Sequence, residues 1–167
     1  MNRNSKTYSV SLAMVIADAI ERTAANEGLS AGLKIAEIVE SHFLNPKNHE
    51  LPVDAKADLL LLRQLRDEAI GKMGEIEKRD GFTADITLKA FQACQNDPAW
   101  LKAYEKYLRG NALVPGNPRK TNANQTIGSR IKSKLRASDL TDGNGKAQRG
   151  RAPVGSIIQT YQLLRLS

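Results

Sequence analysis

Lys6-Thr7-Tyr8-Ser9-Val10-Ser11-Leu12 alternates polar and apolar residues one by one. Tyr8, Val10 and Leu12 fall on one face, Thr7, Ser9 and Ser11 on the other. The residue types suit a pleated strand, so the stretch reads as a half-buried β-strand. Downstream the period changes. Ile16, Ile20 and Ala24 stand four apart, which predicts a helix over 14–26, and Gly28 is placed to stop it. Ser30 suits the N-cap of a second helix over 31–44, whose apolar stripe is Leu33, Ile35, Ile38, Val39 and Phe43. Asn45-Pro46 ends that helix. So short a strand forms no sheet alone, and two short helices cannot bury these side chains unaided. A second copy, paired strand to strand, is the expected remedy.

In this order and spacing, the alternating strand, the helix, the turn Glu27-Gly28-Leu29-Ser30 and the second helix resemble a ribbon-helix-helix DNA-binding domain of the Arc/MetJ/CopG type. The resemblance covers residues 6–44. It implies a mainly α chain whose N-terminus is a β-α-α unit intertwined as a homodimer. It further implies that the ribbon enters the major groove of double-stranded DNA, which admits two strands. Thr7, Ser9 and Ser11 would then read bases. The backbone N–H groups of Ser30, Ala31 and Gly32 would hold a phosphate, with Lys6 and Lys34 adding charge. Small hydroxyls make modest discriminators compared with Arg or Gln. A ribbon kept for dimerisation alone is the other reading.

Outward from that unit, Pro46-Lys47-Asn48-His49-Glu50-Leu51-Pro52 reads as a linker. The expected division is 1–45 for dimerisation and DNA binding, 46–52 as linker, 53–110 as a helical domain, and 111–167 as a basic region. Leu62, Leu65, Ala69, Met73 and Ile76 mark a long helix over 54–79, and Ile86, Leu88 and Phe91 a shorter one to about 95. Asp97-Pro98 starts a helix bearing Trp100, Tyr104 and Tyr107, a stripe that fits a buried face better than a base-stacking platform.

Charge then separates the last third from the rest. Residues 109–167 carry eleven Lys and Arg against Asp139 and Asp142, whereas residues 1–48 balance to zero. Such a block is a footprint for a polyanion. A basic helix over 124–136 precedes the loop Asp142-Gly143-Asn144-Gly145-Lys146 and Arg149-Gly150-Arg151, and β-branched content favours a strand within 156–166. Helix, basic loop and strand are reminiscent of a recognition helix and wing. A second DNA contact would draw on Arg119, Lys120, Thr126, Ser129, Arg130, Lys132, Lys134, Arg136, Lys146, Arg149 and Arg151. A basic surface touching phosphates without reading sequence is the equal alternative.

Chemistry of other kinds finds little material. His42 and His49 have no partner spacing, and one cysteine, Cys94, rules out an internal disulfide. The Asp142–Lys146 loop lacks the spacing of a phosphate-binding loop and the later carboxylates of a calcium loop. No enzyme, metal or cofactor is expected. With no signal-like apolar stretch, a cytoplasmic, nucleoid-associated location is expected. The sequence therefore points to a dimeric, sequence-specific double-stranded-DNA-binding protein, a transcriptional regulator or repressor. The alternatives are an accessory protein of plasmid or phage DNA transfer or partition, and an antitoxin-like interaction module that dimerises through the ribbon. RNA binding ranks lower, because no exposed aromatic platform is evident.

Overall fold

The structure, a computed structural model, describes residues 9–47 and 50–166. Helices account for most of it: α1 (Met14–Glu27), α2 (Ala31–Leu44), α3 (Val53–Asp80), α4 (Ile86–Gln95), α5 (Pro98–Leu108) and α6 (Pro118–Lys134). Four short strands follow, β1 (Ala137–Asp139), β2 (Arg149–Arg151), β3 (Thr160–Gln162) and β4 (Leu164–Leu166). No described helix is long and apolar enough to cross a membrane.

The expected N-terminal ribbon is overturned. Residues 9–13 form no strand, and the first regular element is α1. Alternation fixes which side chains share a face, but a strand exists only where its N–H and C=O groups have a ladder partner. Nothing in the described chain offers one, and Val10 is left 69% exposed. The ribbon-helix-helix fold class is replaced by a mainly helical chain whose short antiparallel strands lie at the C-terminal end.

The two helices after that segment are where periodicity places them. Gly28 adopts φ 70°, and its N–H with that of Leu29 closes back onto the Ala24 and Ala25 carbonyls. That left-handed cap is the conformation glycine takes most easily. Ser30 Oγ accepts from the Leu33 N–H and so caps α2. Yet α1 and α2 bury only Ala24 and Leu44 between them. Polar links join this hairpin to the body. Ser133 Oγ donates to the Gly28 carbonyl at 2.8 Å, Arg130 pairs with Glu37, and Arg66 reaches Glu40 at 3.4 Å.

The core lies elsewhere, between α3, α4, α5, α6 and the strands. Leu65, Ala69 and Met73 of α3 meet Phe91 and Cys94 of α4, Ile127 and Ile131 of α6, and Ile157 and Leu164 beyond. Trp100 stacks on Tyr104 with centroids 4.8 Å apart, and its Nε1–H donates to the Leu65 carbonyl at 3.1 Å. Tyr104 in turn donates to Asn124 Oδ1 at 2.6 Å, while burial pushes its phenol well above the ordinary range. Cys94 is fully buried, its thiol pushed up to about 12 by desolvation. The aromatic stripe of α5 is thus core.

α5 and α6 begin alike. Asp97 accepts from the N–H groups of Ala99 and Trp100 ahead of Pro98, and Asn117 accepts from Arg119 N–H ahead of Pro118. A proline at the first helical position gives up an N–H that has no intrahelical partner anyway. For that reason α6 starts at Pro118, earlier than the apolar spacing alone suggests.

Candidate nucleic-acid interface

The strands form two antiparallel pairs on one chain segment. Residues 160–166, broken at Leu163, pair with β2 through β3 and with β1 through β4. The chain between β1 and β2 turns at Asp142, whose carboxylate accepts from the N–H groups of Asn144 and Lys146, with Gly145 at φ 76°. Leu164 N–H bonds to the Ala84 carbonyl beside α4, and both ends of the Gln95 side chain hold Gly155 and Ile157. The ribbon is therefore anchored to the core at each side.

Its register sets Arg149 opposite Gln162, Gly150 opposite Tyr161, and Arg151 opposite Thr160. Gly150 and Tyr161 are half-buried, and the other four residues are exposed. The Tyr161 ring lies directly on Gly150: a Cβ there would come within 2.4 Å of the Tyr161 Cζ. Any larger residue at 150 would push the ring aside. Arg149, Thr160 and Gln162 border a groove of about 290 Å³ whose far wall is α6, with Gln125, Ser129 and Lys132.

The basic block does not face solvent as a unit. Arg119 is bound to Asp58, donates to the Tyr107 carbonyl at 2.7 Å and lies 5.3 Å from the centroid of that ring. Arg109 shares Asp58 at 3.0 Å. The hydrogen bond from Arg119, against a smaller opposing cost of burial, holds the Asp58 carboxyl below its usual range. Lys120 is buried and donates to the Ala112 carbonyl, and desolvation lowers its ammonium below the ordinary lysine range. Arg130 is buried against Glu37, and Lys132 sits 2.8 Å from Asp139. These cations tie the fold together.

Others remain outside. Lys134, Lys146, Arg149 and Arg151 are exposed and make no ion pair among the described residues. Arg136, also exposed, sits at φ 50° with its guanidinium 3.4 Å from the Ala25 carbonyl. Arg165 donates to Ser138 Oγ at 3.3 Å. Of the two hydroxyls expected to help on α6, Ser129 is exposed at the groove and Thr126 is half-buried.

The residues expected to act at the N-terminus fare differently. Lys6 and Thr7 lie outside the described residues, as does His49. Ser9 and Ser11 are exposed on irregular chain, with no ribbon to present them to a groove. Ser30, Ala31 and Gly32 do form the start of α2, but Lys34 is held by Glu27 at 2.8 Å and by Glu37 at 3.5 Å. Lys34 is thus already neutralised. Sequence reasoning missed Thr160 and Gln162. Their signal is the pair of period-two triplets Arg-Gly-Arg and Thr-Tyr-Gln, in which a glycine is matched by an aromatic across the ladder.

Among the described residues, every Phe, Tyr and Trp is buried or half-buried, and no group of three or more His, Cys, Asp or Glu could hold a metal ion. Compared with protein-family models, with curated proteins and with solved structures, the chain has no significant match.

Proposed function

We propose that this chain binds double-stranded DNA through exposed cations of the β2–β3 ribbon, the loop before it and the end of α6. One observation carries the reading: Lys134, Lys146, Arg149 and Arg151 are exposed and unpaired, while neighbouring cations are consumed inside the fold. Free cations release counterions from a polyanion, and paired ones do not. Among the described residues no aromatic ring is fully exposed, which disfavours single strands, since these are gripped by stacking. Val154, between β2 and β3, is fully exposed, but a lone valine among Gly, Asn and Gln is too little for a lipid surface, which needs several apolar anchors.

The test is titration of the full chain with a random duplex over a range of salt. Four to five phosphate contacts give log K against log salt a slope of roughly −4. A slope near zero, or no binding at low salt, would reject the proposal.

A second copy is the partner that the N-terminal hairpin favours. Met14 and Val15 are 79% and 72% exposed, and Ile16, Ile38 and Val39 are about half exposed. Together they leave on the order of several hundred Å² of apolar surface uncovered, approaching the roughly 800 Å² per partner of a stable interface. Residues 1–48 have no net charge, so two such faces meet without mutual repulsion. The proposed homodimer carries two DNA-binding faces, which suits occupation of a paired site and so a regulatory role such as repression. Val15→Glu places a charge on that face at no cost to the separate chain. Sedimentation should show a dimer for the wild type at micromolar concentration and a monomer for the variant. A monomeric wild type would remove the dimer.

A further inference from the structure

We infer that the β2–β3 ribbon reads base edges in the major groove, with Arg149, Arg151 and Gln162 as the reading side chains. The inference rests on the duplex-binding proposal above and adds sequence recognition to it.

Geometry comes first. Two paired strands stand about 4.8 Å apart, and with their side chains they fit a major groove about 12 Å wide. The pairing extends past the named strands, through Ala152 N–H to the Gln159 carbonyl and Leu163 N–H to the Gln148 carbonyl. Five residues per strand span roughly 17 Å, enough to follow several base pairs. Alternation divides the ribbon cleanly. Gly150 and Tyr161 are half-buried, with Tyr161 packed against the core, and Arg149, Arg151, Thr160 and Gln162 are exposed between them.

The chemistry of that outer face is the chemistry of base recognition. Arginine offers two parallel donors to the O6 and N7 of guanine, glutamine a donor and an acceptor to the N7 and N6 of adenine, and the threonine methyl can touch thymine. Register sets an arginine directly across from the glutamine, so the two could address neighbouring base pairs. Neither arginine has an ion-pair partner among the described residues, so no bond must break before they reach DNA. The Tyr161–Gly150 contact and the tie from Leu164 N–H to Ala84 hold the ribbon in place beforehand. Less conformational freedom is then lost on binding. Gln125 and Ser129 on the facing wall of the groove stand where they could meet the flanking backbone.

The experiment uses the full chain. A pool of random duplexes is selected at about 0.15 M salt, and binding to the enriched duplex is compared with binding to a scrambled one. Arg149→Lys and Gln162→Ala are then measured in the same way. The wild type should enrich a consensus. Arg149→Lys keeps the charge but loses the fork, so it should lower the preference for the enriched duplex roughly tenfold, leaving scrambled-duplex affinity and salt slope unchanged. Gln162→Ala should do likewise at a different base position. Because both side chains are exposed, neither change should alter the melting temperature. Salt-dependent binding without a consensus, or a preference that survives both variants, overturns the ribbon as reader and leaves the duplex-binding proposal standing. Equal preference for the same sequence as A-form RNA, whose deep major groove excludes a ribbon, overturns it too. Failure of the wild type to bind any duplex overturns both.

Discussion

A chain carrying Lys146→Gln, Arg149→Gln and Arg151→Gln together should bind a random duplex about a hundredfold more weakly than the wild type at about 0.15 M salt. On a random duplex, which offers no site to read, Arg149 and Arg151 meet phosphates as Lys146 does, so the log K–log salt slope should be shallower by nearly 3, about 0.9 for each lost contact. Fluorescence anisotropy at four or five salt concentrations gives both numbers. The three side chains are exposed and make no ion pair among the described residues, so folding should not suffer. Lys102→Gln, equally exposed but on α5, is the control and should change neither number. The opposite pattern, a large effect at Lys102 and none at the ribbon, would place the polyanion on another face.

The second large effect is on stability. Trp100→Ala should cost about 3–5 kcal/mol and lower the melting midpoint by roughly 10 °C, measured by circular dichroism or calorimetry. Three things go at once: the apolar volume of a side chain 1% exposed, the stack on Tyr104, and the Nε1–H bond to the Leu65 carbonyl. The cavity would open in the layer that holds the groove in shape, because Tyr104 bonds to Asn124, one of the residues lining that groove. Trp100→Phe keeps a ring and should lose less than half as much. A loss under 1 kcal/mol for Trp100→Ala would mean that the α3–α5 packing contributes little to the fold.

Helices were the legible part of this sequence. Their apolar residues recur within one turn, and caps such as Ser30, Asp97 and Gly28 act on neighbours a few positions away, so sequence alone carries the information. Strands are another matter. The stretch from Lys6 to Leu12 has better alternation than anything near the C-terminus, yet its described part forms no strand, whereas the unpromising Arg149-Gly150-Arg151 does. Pairing decides, and the partner of β2 lies beyond a separate loop. The start of α6 is hard to see in the sequence because a proline ordinarily ends a helix, yet Pro118 sits at the first helical position, where a helix tolerates it.

Charge was legible as a total and not as a distribution. Composition marks 109–167 as strongly basic, but Arg119 meets Asp58 and Arg130 meets Glu37 only after the chain folds. Half-buried carboxylates removed several cations from the candidate surface and left those of the ribbon and the end of α6. The hydroxyls of Ser9 and Ser11 lost their expected role with the strand that was to present them.

The division between cations inside and outside the fold is most directly tested by amine acetylation of the wild-type chain, read by mass spectrometry, with and without saturating duplex. Lys134, Lys146 and Lys102 should all react in the free protein, and duplex should shield Lys134 and Lys146 while sparing Lys102. Lys120, buried beneath the Ala112 carbonyl, should react in neither case. Shielding of Lys102 with Lys134 and Lys146 left reactive would contradict the account.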